Sequence, residues 1–175
     1  AQKLEDGKVN PLNNKPFSNH YLTLLTKKHN LPVQSHLSEN HGEIAWVKEL
    51  EPESKHYGDA YNRYGLFGQT PTIMAHCEWT KGEELELLKQ NKVMVAHCPT
   101  SNFNLSSGMA PIRTFIDNGI SVGLGSDISG GHDLSIFKMM VYAIQTSKMH
   151  YSADNSKPFL SLSEVFWIAT KSAGQ

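Results

Sequence analysis

The sequence predicts an α/β fold with a parallel sheet, because one short unit recurs along the chain. In each unit, an apolar run ends in a polar residue and a segment with helical periodicity follows it. Strands that are apolar throughout are typical of a parallel sheet covered on both faces, and strands that alternate with helices favour the α/β class. The runs that we interpret as strands are PVQSH, TPTIMAHC, VMVAHC and ISVGLGSD.

Apolar periodicity and capping signals predict the helices that lie before, between and after these strands. A first helix ends near Asn30, and the others are predicted over residues 42–50, 59–64, 80–92, 109–118, 134–147 and 161–174. Thr80 with Glu83, and Ser161 with Glu164, fit the capping box of a helix start. The prediction is therefore a helix after each strand, as in repeated strand–helix units.

Composition limits the range of functions. The chain has 175 residues, which suits one domain or part of a larger one, and its net charge is -1. This balance gives no electrostatic footprint for nucleic acid or an anionic membrane, and no apolar run approaches the ~18–20 residues of a membrane span. Two cysteines and the lack of a signal-peptide pattern favour a reducing, cytoplasmic location. Residues 1–17 are polar and irregular, and indicate a loop or the edge of another unit.

Polar side chains with catalytic potential end the predicted strands. His36, His76, His97 and Asp127 each follow an apolar run. In α/β sheets and barrels, ligands bind beyond the carboxyl ends of the strands. The sequence therefore predicts an active site at that edge.

Imidazole and carboxylate groups at these ends are suitable zinc ligands. His36, His76 and Asp127 come from separate strands and could converge at a barrel mouth. Glu39 follows His36 by three residues, so its carboxylate could reach a metal-bound water and transfer protons. This hypothesis rests on residue types and strand ends, since the chain contains neither an HExxH helix nor a CxxC pair.

Other residues near these motifs have structural interpretations. For His97 we favour a hydrogen-bonded structural histidine, and for Cys77 and Cys98 small buried side chains. His132, in GGHD after Asp127, is a candidate for the border of the pocket. The glycines of GLGSD and SGG do not form a GxGxxG fingerprint, which disfavours a dinucleotide site.

Four motifs, taken together, resemble one family. VQSHLSEN, TIMAHCEWT, VAHCPTSNFNLSSG and GLGSDISGGHDLSIFK, in this order and spacing, closely resemble the guanine deaminase family of the amidohydrolase superfamily. The resemblance covers about residues 18–175 and leaves residues 1–17 unmatched. It implies part of a (β/α)8 TIM barrel of the metal-dependent amidohydrolase type, with this chain supplying strands five to eight and their helices.

The resemblance also implies roles for individual residues. His36 resembles the strand-five metal ligand, and Asp127 resembles the strand-eight ligand that accepts a proton of the attacking water. Glu39 resembles the residue that protonates the purine ring and then the leaving ammonia. His76 resembles the histidine that hydrogen-bonds the metal-bound hydroxide. Catalysis is thus assigned to Glu39, His76 and Asp127, metal binding to His36 and Asp127, and substrate binding to His36, Glu39 and His76.

The activity that the resemblance implies is zinc-dependent hydrolysis of guanine to xanthine and ammonia, in purine catabolism. It implies one divalent metal per site, with iron as an alternative to zinc, and a homodimer. Guanine would be a small-molecule partner, and neither nucleic acid nor a membrane is expected as a partner. His97 and Asn102, in HCPTSN, would have supporting roles near the pocket.

The chain departs from the family in two respects. The family has a His-x-His pair of metal ligands on strand one, whereas no two histidines here are separated by a single residue. It also has an Arg-Phe pair that contacts guanine, and Val9-Asn10 stand at that position here. A complete barrel takes about 250 residues. We therefore expect the C-terminal half of an enzyme. The alternatives are an amidohydrolase that acts on another amino-heterocycle and a non-catalytic fragment.

Overall fold

The structure contains the predicted parallel sheet. A computed structural model describes residues 16–174, with their side chains from Leu22 onwards. Within this part of the chain four parallel strands pair in sequence order. The strands are β1 (Val33–Leu37), β2 (Thr72–His76), β3 (Met94–His97) and β4 (Val122–Leu124). The α/β prediction is confirmed.

A helix precedes β1, and at least one helix follows each strand. They are α1 (Pro16–His29), α2 (His41–Leu50), α3 (Tyr57–Arg63), α4 (Glu83–Gln90), α5 (Pro99–Asn104), α6 (Ile112–Asp117), α7 (Ile136–Ala153) and α8 (Leu162–Ala169). A short 3₁₀ turn covers Ser172–Gly174. Helix α1 starts two residues inside the segment expected to be irregular, whose residues 1–15 lie outside the described part. Among the described helices, none has both the length and the apolar character needed to cross a bilayer.

One of the two predicted capping boxes is correct. Ser161 and Glu164 form a complete box at the start of α8. The box predicted for Thr80 and Glu83 is wrong, because α4 begins at Glu83 with Gly82 as its N-cap residue. Thr80 instead lies in a tight turn, where it is buried and its amide donates to the Cys77 carbonyl.

Two proline positions explain where the sequence prediction missed a helix boundary. Helix α5 was not predicted, and Pro99 is its first residue, a position that proline favours. Helix α6 was predicted from residue 109 but begins at Ile112, after Pro111. Its C-terminal end is as predicted, since Gly119 has the positive φ of 73° that often ends a helix.

The two faces of the sheet differ. Leu37, Met74, Val95 and Val122 are buried in the core that the helices cover, together with helical side chains such as Phe115. Side chains alternate between the faces of a strand, so the intervening residues lie on the opposite face. There Gln34, His36 and Ile73 are exposed, whereas Ala75 and Gly123, in the same register row as His36, are buried.

Candidate active site

His36, His76 and Asp127 meet at the carboxyl edge of the sheet. The His36 and His76 rings stack with their centroids 5.0 Å apart. Nε2 of His76 lies 3.9 Å from Oδ2 of Asp127. His36 is exposed, the Asp127 side chain is 32% exposed, and His76 is 1% exposed. The structure therefore brings together the three residues that the sequence placed at separate strand ends.

His76 reaches this cluster because of its backbone conformation. Strand alternation would place it on the helix-covered face, like its register partner Leu37. However, φ is 74° at His76 and 61° at Cys77, which is the left-handed region that non-glycine residues rarely adopt. This turn directs the imidazole towards His36. Such strain is common at functional sites, where the surrounding structure maintains it.

A buried asparagine orients the His76 ring. Nδ1 of His76 lies 3.1 Å from Oδ1 of Asn102, a residue of α5 that is 1% exposed. A carbonyl oxygen only accepts, so Nδ1 carries the proton in this arrangement. Nε2 of His76 is then free to face Asp127. This contact with His76 is what a supporting role of Asn102, as predicted, would depend on.

Glycines allow the loop after β4 to pass close to Asp127, whose own φ is 44°. A Cβ atom on Gly130 would lie 2.8 Å from Oδ2 of Asp127. On Gly131, a Cβ atom would lie 2.1 Å from the Ser126 carbonyl oxygen. The glycines of SGG are thus required by the tight packing of this loop.

Replacing Gly131 with alanine is expected to destabilise the protein. The new methyl group would overlap backbone atoms, so the loop carrying Asp127 must move, at a cost of about 1–3 kcal/mol in the free energy of unfolding. Urea unfolding of the two proteins measures this difference. Gly174→Ala is the matched control, because nothing lies within 4 Å of its Cβ position. Equal stability of the parent and Gly131→Ala would contradict the packing described here.

Glu39 lies in the loop between β1 and α2, directly before the N-cap residue Asn40, and a chain of two hydrogen bonds holds its carboxylate. The Trp79 indole Nε1 donates to the Ser107 carbonyl at 2.8 Å, and Ser107 Oγ donates to Oε1 of Glu39 at 2.9 Å. The Glu39 amide donates to Oε2 of Glu43 at 3.0 Å. Glu39 is therefore fixed beside the strand end that holds His36. Its second carboxyl oxygen takes no part in these two hydrogen bonds.

A buried carboxylate secures the turn between β1 and α2. Glu84 accepts from Ser38 Oγ at 2.8 Å and from the Gly58 amide at 2.7 Å, and His56 Nδ1 lies 3.4 Å away. Burial raises the pKa of Glu84, but the hydrogen bonds from His56, Gly58 and Ser38 outweigh it, and the net effect lowers the pKa. The ionised carboxylate thus holds the backbone that leads to Glu39.

The sequence prediction did not include Glu78. It is 5% exposed, and neither of its carboxyl oxygens has a hydrogen-bond partner among the residues that the structure describes. Burial, and to a lesser degree the charge of Glu39, raise the pKa of Glu78 to about 9. The available signal was a glutamate directly after the HC dipeptide of a buried strand, where charged residues are rare.

His97 lies outside the cluster. Its neighbours in β3 follow regular alternation, so the ring lies on the helix-covered face, at a cavity of about 150 Å³ that His150 and Arg113 also line. It is fully buried, and neither ring nitrogen has a hydrogen-bond partner among the described residues. The prediction that His97 is hydrogen-bonded is therefore wrong. Burial lowers the pKa of His97 to about 3.

The depressed pKa of His97 predicts a loss of stability in acid. The unfolded chain binds a proton near pH 6.5 and the folded chain only near pH 3, so stability is complete above 6.5 and falls as the pH falls. Between pH 7.5 and pH 5, the free energy of unfolding of the parent should fall by about 2 kcal/mol more than that of a His97→Asn variant. Urea unfolding at pH 7.5 and pH 5 measures this, with His29→Asn as the exposed control. Identical pH dependence of the parent and His97→Asn would refute the prediction.

The remaining predicted residues lie near the site. His132 Nδ1 is 3.2 Å from Asn104 Nδ2, and the same amide donates to the Gly130 carbonyl at 2.8 Å. This links His132 to the loop after Asp127, as expected for a residue at the border of the site. Cys77 and Cys98 are free and buried, as predicted.

The donor groups at this edge fit part of a zinc site. His36 and Asp127 supply an imidazole and a carboxylate, which are donor types that zinc accepts. A catalytic zinc takes at least three protein ligands and keeps a position for a water molecule. Over residues 22–174, no group of three or more His, Cys, Asp or Glu side chains is arranged to hold a metal ion. These side chains therefore suit two ligand positions and do not complete the set.

Comparisons with known proteins agree with this geometry. Residues 18–173 match the model of the amidohydrolase family. The chain is 46% identical over 153 residues to a probable guanine deaminase of Schizosaccharomyces pombe, covering 86% of this chain and 29% of the relative. A crystal structure of guanine deaminase from C. acetobutylicum with guanine bound in its active site superposes with a TM-score of 0.88 at 53% identity, covering 90% of this chain and 38% of the other.

A more distant structure shares the fold. An adenosine deaminase from Xanthomonas campestris with bound zinc is 21% identical, with a TM-score of 0.81, and covers 91% of this chain and 35% of that one. A parallel sheet with a histidine and aspartate cluster at its carboxyl edge is the arrangement of a barrel hydrolase. The chain belongs to the amidohydrolase family. It spans about a third of the length of the relatives described here.

Proposed function

We propose that this chain supplies strands five to eight of the barrel of a zinc-dependent guanine deaminase, which hydrolyses guanine to xanthine and ammonia. The observation that carries the proposal is the joining of His36, His76 and Asp127 at one sheet edge with Glu39 beside them. The 53% identity to a structure with bound guanine supports this substrate.

Zinc would be held by His36, Asp127 and a His-x-His pair supplied by a preceding part of the barrel. When bound, zinc lowers the pKa of a water ligand towards neutrality. The pair is absent from the 175 residues, so the whole site requires residues beyond them. A homodimer and a cytoplasmic location, both implied by the resemblance or the composition, remain part of the proposal.

The side chains of this chain would handle the protons of the reaction. The net change adds one water to guanine, replaces the amino group with oxygen and releases ammonia. Asp127 would accept a proton from the attacking water, with His76 Nε2 beside it to hydrogen-bond the oxygen. Glu39 would donate a proton to the purine ring and another to the leaving ammonia, and the two protons of the attacking water, one of them by way of Asp127, would return it to its starting state. The hydrogen bond from Ser107 leaves one Glu39 oxygen available for this transfer.

The experiment is a substrate comparison with the full-length native protein, loaded with zinc. Guanine, adenine, cytosine and melamine would be supplied separately, and ammonia release and absorbance would be followed. We expect turnover of guanine and little turnover of the others. Turnover of another amino-heterocycle without guanine would replace this proposal with the alternative amidohydrolase. No turnover of any of them would favour the non-catalytic interpretation.

A further inference from the structure

An unpaired donor lies beside an unpaired acceptor next to His76. Asn102 uses Oδ1 for His76, while its Nδ2 is buried and has no hydrogen-bond partner in the part of the chain that the structure describes. Within the same residues, both carboxyl oxygens of Glu78 are likewise buried without a partner. Unpaired buried polar groups destabilise a fold, so their proximity requires an explanation.

Glu78 and Asn102 are neighbours. The Asn102 amide lies close enough to lower the pKa of Glu78, although burial raises it more and the pair does not reach hydrogen-bond geometry. The unpaired Nδ2 is a donor and the unpaired Glu78 oxygens are acceptors, so the two groups are complementary. A carboxyl group retains an accepting oxygen in both protonation states, so this bond does not depend on ionisation.

The direction of the Asn102 amide determines which nitrogen of His76 carries the proton. With Oδ1 facing Nδ1, the proton lies on Nδ1 and Nε2 is free for the reacting oxygen. With the amide reversed, Nδ2 would face the ring, Nδ1 would have to accept, and Nε2 would carry the proton. An acceptor on the other side of Asn102 favours the first arrangement, because only Nδ2 can donate to it.

We propose that Glu78 is a positioning residue that accepts a hydrogen bond from Asn102 and thereby sets the tautomer of His76. This inference rests on the proposed function. Glu78 touches neither the substrate nor the reacting atoms in this scheme. It acts through Asn102, in the way that outer partners orient active-site histidines in other enzymes.

The first test compares Glu78 variants in the full-length, zinc-loaded enzyme. Glu78→Leu removes the acceptor and should lower kcat roughly 10–100-fold, the usual cost of losing such a partner, with KM within about threefold. Glu78→Gln retains an accepting oxygen and should recover most of that rate. Glu86→Leu, on the exposed side of α4, is the control and should match the parent. Equal losses in the Leu and Gln variants would overturn the proposal.

The second test removes the orientation question with an isosteric side chain. Asn102→Asp presents an accepting oxygen to His76 in either orientation, so the tautomer should no longer depend on Glu78. Glu78→Leu, which should cost roughly 10–100-fold in the parent, is therefore expected to cost less than about threefold when added to Asn102→Asp. An undiminished loss in the double variant would overturn the proposal. Failure of the proposed function is distinguishable, because the parent enzyme itself would then not deaminate guanine.

Discussion

Glu39→Gln is expected to lower guanine turnover by roughly 10²–10⁴-fold, the usual contribution of a general acid–base group, while the fold is retained. Glutamine keeps an accepting oxygen for Ser107 and the shape of the side chain. It cannot release and take up a proton as a carboxyl group does. The measurement is kcat for guanine in the full-length enzyme, with circular dichroism to confirm folding.

Glu49→Gln provides the control for this substitution. Glu49 is an exposed residue near the end of helix α2, which begins two residues after Glu39. The control should turn guanine over at the parental rate. If Glu39→Gln stayed within about twofold of the parent, far from the general acid–base range, Glu39 would have no part in the mechanism.

A polypeptide limited to these 175 residues is expected to bind zinc weakly and to leave guanine unchanged. His36 and Asp127 would supply two of the four protein ligands of the proposed site, and a catalytic zinc needs at least three protein ligands beside its water. The edges of β1 and β4 are also unpaired within the described sheet, which favours association between copies. Zinc content after dialysis and the loss of guanine absorbance measure the outcome.

The full-length protein, measured in parallel, should retain stoichiometric zinc and deaminate guanine. His36→Ala in that protein should lose most of the zinc, which separates ligand loss from the loss of half the barrel. Stoichiometric zinc and turnover in the 175-residue polypeptide would mean that further ligands exist. His132 would be the first to test, because it is linked to the loop after Asp127.

The order of strands and helices could be predicted from the sequence because its signals are local. Apolar runs and helical periodicity describe which residues avoid water over a few positions, and the predicted strands match β1 to β4. The edge of the sheet that holds the candidate site follows as well, since parallel strands end at the same edge. His36 and Asp127 were placed correctly at that edge by this argument alone.

Glu78 could not be assigned in this way. Its position after the HC dipeptide was visible, but its burial and its proximity to Asn102 depend on α5, a helix that periodicity did not indicate. The role of Ser107 in holding Glu39 was equally hidden, because 68 residues separate the two. Hydrogen bonds between distant segments leave no periodic trace in the sequence.

The clearest division between local and long-range information concerns His76 and His97. Both stand in the tripeptide AHC at the end of an apolar strand, so the sequence places them at the same edge and does not distinguish them. In the folded chain, φ is 61° at Cys77 and -117° at Cys98. The first conformation accompanies the turn of His76 towards Asp127, and the second leaves His97 in the layer of helices. Contacts with Asn102 and Asp127, far along the chain, stabilise the strained turn at His76, which is why its place in the site depends on the tertiary fold.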